Sequence, residues 1–281
     1  MKNKRQSQLV STAGSLVMGM WSSRHALISG FGYFLLILLL FSGSTGDLNW
    51  LKSVRAGEIS LFETWQWSTF KPLCWVMMHS FLFALAVAVV SCGLAFLICS
   101  LAVLPKVRKG EFAGLARLGR CWQGVPMLLI GLLVMFGSDG SRMWVAIVLS
   151  LFAGVGLCEK VSGWFERASS GNDVEAAILA GVRYRDQTLR RYIVIVGQQV
   201  LGVMLGLIPK VMLIEMMLSF VGSGFRWISV GTLLGIGKDR LYAEPELLVV
   251  CGSFSFAVVL GFGVLGWFTG RYLKSGSVSW M

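Results

Sequence analysis

Long uncharged apolar tracts alternate along the chain with short charged stretches, and the tracts set the predicted elements. Read in order, they predict six helical spans, near 26–44, 79–104, 123–138, 143–160, 192–214 and 246–269. Each comes close to the roughly 17–25 residues that a helix needs to cross about 30 Å of hydrocarbon. The third and fourth are the shortest, and Ser138-Asp-Gly-Ser-Arg142 leaves only a tight turn between them. A re-entrant hairpin is the alternative there, because non-helical backbone at membrane depth must be buried in protein. The pattern thus predicts an all-α, polytopic membrane protein, with 1–25 as an amino-terminal segment and 26–281 as one transmembrane domain.

Composition agrees with the pattern. The 281 residues are 56% hydrophobic and only 14% charged, with a mean hydropathy of +0.73, which excludes an ordinary soluble enzyme. A net charge of +11 would suggest nucleic acid as partner for a soluble chain. In a membrane protein it reflects basic cytoplasmic loops, and no nucleic-acid partner is expected.

The basic residues also predict orientation. Lys2, Lys4, Arg5, Arg24, Lys106, Arg108, Lys109, Arg117, Arg120, Lys160, Arg167, Arg183, Arg185, Arg190, Arg191, Arg271 and Lys274 fall on one set of alternate loops. Lys52, Arg55, Lys71, Arg142, Arg226, Lys238 and Arg240 fall on the other. The richer set belongs to the cytoplasm, so both termini are expected there. Trp21, Trp50, Trp75, Trp122, Trp144, Trp164, Trp227 and Trp267 stand at or near the predicted span ends, where an amphipathic ring is best placed. The basic start is followed by a stretch broken by Ser, Thr and Gly, so a retained first span is expected rather than a cleaved signal.

Chemistry-bearing residues are sparse. Cys92, Cys99, Cys158 and Cys251 lie inside apolar tracts, Cys121 beside a basic loop and Cys74 just before a span. Their spacing fits neither a zinc site nor a disulfide framework, and they read as small hydrophobes. His25 and His79 each precede a span with no ligand or carboxylate at suitable spacing. The chain contains no nucleophile elbow, zinc-binding helix motif or phosphate loop; Gly231-Thr-Leu-Leu-Gly-Ile-Gly237-Lys238-Asp239 has the wrong spacing and lacks the hydroxyl residue. No catalytic residue, metal or cofactor is therefore assigned to this chain.

The most informative stretch is the polar one between the fourth and fifth spans, about 161–191. Asn172 or Asp173 can cap a helix whose Ala176, Ala177 and Ala180 leave a surface that another protein can approach closely. Gly181 permits a turn, and Arg183, Arg185, Arg190 and Arg191 lead back to the membrane. A solvated basic loop obeying the charge rule accounts for these residues equally well.

Glu175-Ala176-Ala177-x-x-x-Gly181 resembles the EAA loop of binding-protein-dependent ABC importer permeases, and its place before the penultimate span fits that family. Arg190-Arg191-Tyr192-Ile193 resembles the family's basic approach to the next span. Glu215-x-x-Leu218-Ser219-Phe220-x-Gly222-x-Gly224 resembles the pattern that follows in the dipeptide, oligopeptide and nickel branch. Trp227, Gly237-Lys238, Pro245 and Leu265-Gly266 continue in compatible order, and Gly124-Val125-Pro126 extends the likeness. Ile195 stands where the family has a proline, the Gly-Thr-Asp-x-x-Gly-Arg-Asp motif usual before the second span is absent, and the amino-terminal half is divergent.

The resemblance implies an integral permease subunit of the bacterial cytoplasmic (inner) membrane, moving peptides, nickel or a related small solute. It implies coupling helices between spans four and five that dock on a separate ATPase subunit, with Glu175, Ala176, Ala177, Gly181, Arg183 and Arg185 as docking residues. ATP and magnesium would be bound by that ATPase. A second permease subunit, homologous or identical, and an extracytoplasmic substrate-binding protein complete the implied assembly.

Lys210 and Glu215 border the fifth tract from within. Five positions at about 100° each place them roughly 140° apart on a helix, a poor pairing geometry. Lys210 lies roughly 27 Å along a helix begun at Tyr192, near the outer interface, where a lysine snorkels. Glu215, and Ser219 with it, is then expected in a separate outer segment at the mouth of the pathway. A secondary transporter or channel would instead place ionisable residues deep within several spans. A membrane-embedded enzyme would cluster His, Asp, Glu or Ser and Lys at one depth.

Overall fold

The computed structural model describes residues 67–103, 109–169, 184–222, 227, 229–239 and 245–278, together with Gly32, Leu35 and Ile37. Among the described residues the chain is all-helical, with seven helices and no strand. They are α1 (Trp67–Val103), α2 (Lys109–Gln123), α3 (Met127–Gly137), α4 (Arg142–Ser169), α5 (Tyr184–Val221), α6 (Val230–Asp239) and α7 (Pro245–Val278). By length and composition, four stretches can cross a membrane: Leu73–Leu101, Arg142–Glu166, Gln199–Val221 and Leu248–Gly270.

The predicted spans near 79–104, 143–160, 192–214 and 246–269 each appear as a helix, with shifted limits. The third differs. Gly124, Val125 and Pro126 interrupt it, because a residue before proline is driven out of helical geometry. Arg117–Gln123 and Met127–Gly137 consequently meet at a bend of 71°, and together they form a fifth crossing if the broken pair is counted as one span. Of the predicted first span, the three described positions are helical; Ile37 packs on the core and Gly32 abuts Leu265 of α7.

The fifth span also departs from expectation. α5 runs unbroken through Pro209 to Val221, and its stretch Gln199–Val221 is long and apolar enough to cross a membrane. Glu215 therefore lies inside the span and not in a separate outer segment. Of the predicted polar connection, 161–169 are helical within α4 and 184–191 within α5.

α1 is central, packing along α4 and α5, while α5 also packs against α6 and α7. Two apolar clusters fill the interior. One gathers Met77, Phe81 and Ala84 of α1 with Val145 and Leu149 of α4, Val211 and Met212 of α5, Leu233 of α6 and Phe262 of α7; the Phe81 and Phe262 rings stack at 5.0 Å. The other joins Cys92, Ala95 and Cys99 of α1 to Leu157, Cys158, Val161 and Phe165 of α4 and Val196 of α5. Five cysteines are buried and Cys121 is exposed.

Small residues let these helices approach, as expected where lipid supplies no hydrophobic drive between apolar faces. A side chain on Gly154 of α4 would strike Leu94 and the Ser91 carbonyl of α1. Gly266 of α7 rests on α5 at Gly206 and the Leu205 carbonyl. That carbonyl is the one Pro209, lacking an N–H, leaves without its helical partner. The outer faces carry exposed Leu97, Leu133, Trp144, Met217, Phe256 and Trp267.

Candidate functional site

Polar groups converge at the end of the bundle that holds the α3–α4 turn. Ser138 N–H donates to the Val134 carbonyl at 2.9 Å and Gly140 N–H to the Met135 carbonyl at 2.8 Å, closing α3. Asp139 and Gly140 take positive φ values of 50° and 75°, a conformation that aspartate tolerates and glycine adopts freely. This turn delivers Arg142 as the first residue of α4. A cation there opposes the helix dipole, so its position needs another cause.

That cause is Glu215. Arg142 Nη2 donates to Glu215 Oε1 at 3.0 Å and to the His79 carbonyl of α1 at 3.0 Å. Its guanidinium carbon lies 5.0 Å from the Phe83 ring centroid, a cation–π distance. The Glu215 side chain is 0% exposed and that of Arg142 26%. One guanidinium thus ties α1, α4 and α5 together. The Ser80 hydroxyl neighbours the carboxylate, yet Ser80 Oγ, Glu215 Oε2 and Arg142 Nε are buried without a hydrogen bond of normal geometry.

α6 packs on the α5 turn that follows Glu215. Its glycines serve contact rather than phosphate binding: a Cβ on Gly231 would overlap the Met216 carbonyl and Ser219 Oγ of α5, and one on Gly237 would crowd Leu248 of α7. Ser229 caps α6, its Oγ accepting from Thr232 N–H at 3.2 Å. The Thr232 hydroxyl donates to the Trp227 carbonyl at 3.0 Å, and Trp227 Nε1 donates to the Gly140 carbonyl. The turn, the ion pair and α6 form one capped end.

No protein-family model matches the chain, and no curated protein matches it.

The sequence-predicted residues divide into three groups. Glu175, Ala176, Ala177, Gly181 and Arg183 lie outside the described residues, and Arg185 falls in the first turn of α5. Glu215 and Ser219 come together, the Ser219 hydroxyl donating to the Glu215 carbonyl at 2.7 Å. Lys210 is exposed while Glu215 is buried, so the two do not pair, as their angular separation requires. Sequence reasoning missed Arg142, Trp227 and Gly231 as parts of one site. The available signal was isolation: neither Arg142 nor Glu215 has a charged neighbour within two positions.

The second polar contact is of a different kind. Arg120 Nε of α2 meets Glu159 Oε1 of α4 at 2.8 Å, with 69% of the arginine side chain exposed. Gln123 Nε2 donates to the Gly156 carbonyl at 2.6 Å. These contacts seat α2 on α4. Among the described residues, no group of His, Cys, Asp and Glu could hold a metal ion.

Proposed function

We propose that the chain is the permease subunit of an ABC importer, forming the path for peptides, nickel or a related small solute and driven by a separate ATPase. The observation that carries this reading is a pairing of sequence and topology. The stretch bearing Glu175, Ala176, Ala177 and Gly181 joins α4 to α5, and the far ends of those same two helices hold Arg142 and Glu215 in contact. A push on the connecting segment therefore acts on the two rods whose opposite ends are bridged. Rigid-body rocking of such helices is a known route to switching access.

In this reading Glu175 makes a charged contact, Ala176 and Ala177 allow close packing on the ATPase, and Arg183 and Arg185 flank the dock. ATP and magnesium are held by the ATPase. A second permease subunit and an extracytoplasmic substrate-binding protein complete the assembly in the bacterial inner membrane, with both termini of this chain in the cytoplasm. Glu175→Arg and Gly181→Pro are each expected to leave the chain in the membrane and to abolish co-purification of the ATPase. Undiminished co-purification with both variants rejects the coupling role.

One observation favours a second reading. A buried Arg–Glu pair within the spans is what an ion-coupled secondary transporter would carry. Solute uptake into vesicles holding only the purified chain, driven by an ion gradient without ATP, selects that reading over the importer.

A further inference from the structure

We propose that the Arg142–Glu215 pair is a latch, closed in this structure, whose opening admits water to the interior of the bundle between α1, α4 and α5. The inference rests on reading the chain as a transport path, and it holds for either energy source.

Three features separate a latch from a structural staple. First, a buried ion pair is a poor device for stability alone, since well-packed apolar residues of like volume serve as well or better. Second, the pair is only half satisfied: Glu215 Oε2, Arg142 Nε and Ser80 Oγ are buried with no hydrogen bond of normal geometry. Ser80 Oγ and Glu215 Oε2 are neighbours whose contact falls short of a well-formed bond, and Arg142 Nε has no partner among the described residues, so hydration favours the open form and offsets part of the loss of the ion pair. A fully satisfied network would have no such counterweight. Third, Arg142 stands at the amino-terminal end of α4, where the helix dipole repels a cation; this also lowers the cost of its release from the carboxylate.

The surroundings define what the latch holds shut. Arg142 reaches α1 at the His79 carbonyl as well as α5 at Glu215, so its release frees α4 from both neighbours at one end. α6 is seated on the α5 turn that follows Glu215, through Gly231 against Met216 and Ser219. A shift of α5 at Glu215 therefore carries the floor on which α6 rests. The far half of the bundle, closed by the apolar Cys99, Cys158 and Phe165 cluster, contains none of these contacts.

The test is access of a water-soluble maleimide to Ser80→Cys in the full chain, in opened native membranes with its natural partners. Labelling is read peptide by peptide. Exposed Cys121 reports reagent delivery, and buried Cys99 and Cys158 report global loosening. Ser80→Cys alone is expected to label slowly, because Ser80 is wholly buried. Adding Glu215→Gln is expected to raise its rate at least tenfold with Cys99 and Cys158 still protected; adding Arg142→Lys, which keeps the charge, is expected to raise it less than threefold. Equal rates with and without Glu215→Gln overturn the latch. Parallel labelling of Cys99 and Cys158 also overturns it, in favour of a structural staple. The comparison between variants needs no ATPase to be bound, so a chain that fails co-purification and passes here loses the importer reading and keeps the latch.

Discussion

Removing one member of the Arg142–Glu215 pair should cost far more than removing both, and unequally for the two members. Polar contacts between membrane helices average only about 0.6 kcal/mol in mutant cycles, so loss of the 3.0 Å hydrogen bond by itself is a small effect. The larger effect is the charge left behind. Arg142→Met strands a carboxylate with no exposure, for which breaking a buried pair costs roughly 3–5 kcal/mol. Glu215→Leu strands a guanidinium that keeps a quarter of its side-chain surface and can turn toward water along its apolar stem. That variant should lose only about 1–2 kcal/mol, the lower part of the range for an imperfectly satisfied polar group.

The double variant Arg142→Met/Glu215→Leu leaves no charge stranded and should fall within about 1 kcal/mol of the parent protein. Unfolding of the purified chain in mixed micelles, followed by near-ultraviolet circular dichroism, gives all three values and the coupling energy by a double-mutant cycle. Single losses that are equal and add in the double variant would refute the reasoning, because additivity means that the two charges do not sense each other.

Two further outcomes follow from packing and exposure. Gly231→Val should destabilise the chain by roughly 1–3 kcal/mol, since its first added carbon already overlaps α5 at Met216 and Ser219; no change in the same unfolding assay would show that α6 does not dock there. Arg120→Ala should cost less than about 1 kcal/mol and lose its effect in high salt, because the arginine is mostly exposed; a loss comparable to that of Arg142→Met would place α2 in a far drier setting than the structure does.

The spans were legible wherever an apolar run was long and unbroken, as for α1 and α7, because hydropathy over some 20 residues is a direct reading of the bilayer's thickness. Limits were less legible. The fifth span was expected to end near 214 with Glu215 in a separate segment beyond it, yet α5 continues as one helix to Val221 and brings Glu215 inside it. The exposure of Lys210 and the burial of Glu215 follow from their angular separation, which the sequence does contain. The partner of Glu215 was not legible, since Arg142 is 73 positions away and no local periodicity links α4 to α5. The glycines of 231–237 were legible as a failed phosphate loop and no further; that two of them seat α6 on α5 and α7 is a fact of tertiary approach.

The two ends of the molecule are joined mechanically only if α5 transmits motion past Pro209. Its 38 residues span about 57 Å at 1.5 Å per residue, long enough to pivot as a rod. The close seat of Gly266 on Gly206 and the Leu205 carbonyl is a natural fulcrum, because proline has already freed that carbonyl. Along the helix, Tyr184 then lies about 33 Å from the fulcrum and Glu215 about 13 Å on its other side. A rod turning about that point scales a displacement of roughly 3 Å at Tyr184 to about 1.2 Å at Glu215. Added to a contact of 3.0 Å, that carries the pair beyond 4 Å, where a hydrogen bond no longer holds. A modest tilt applied where the Glu-Ala-Ala segment meets α5 is therefore sufficient to open the latch, with no need to unfold a helix or break the apolar core between.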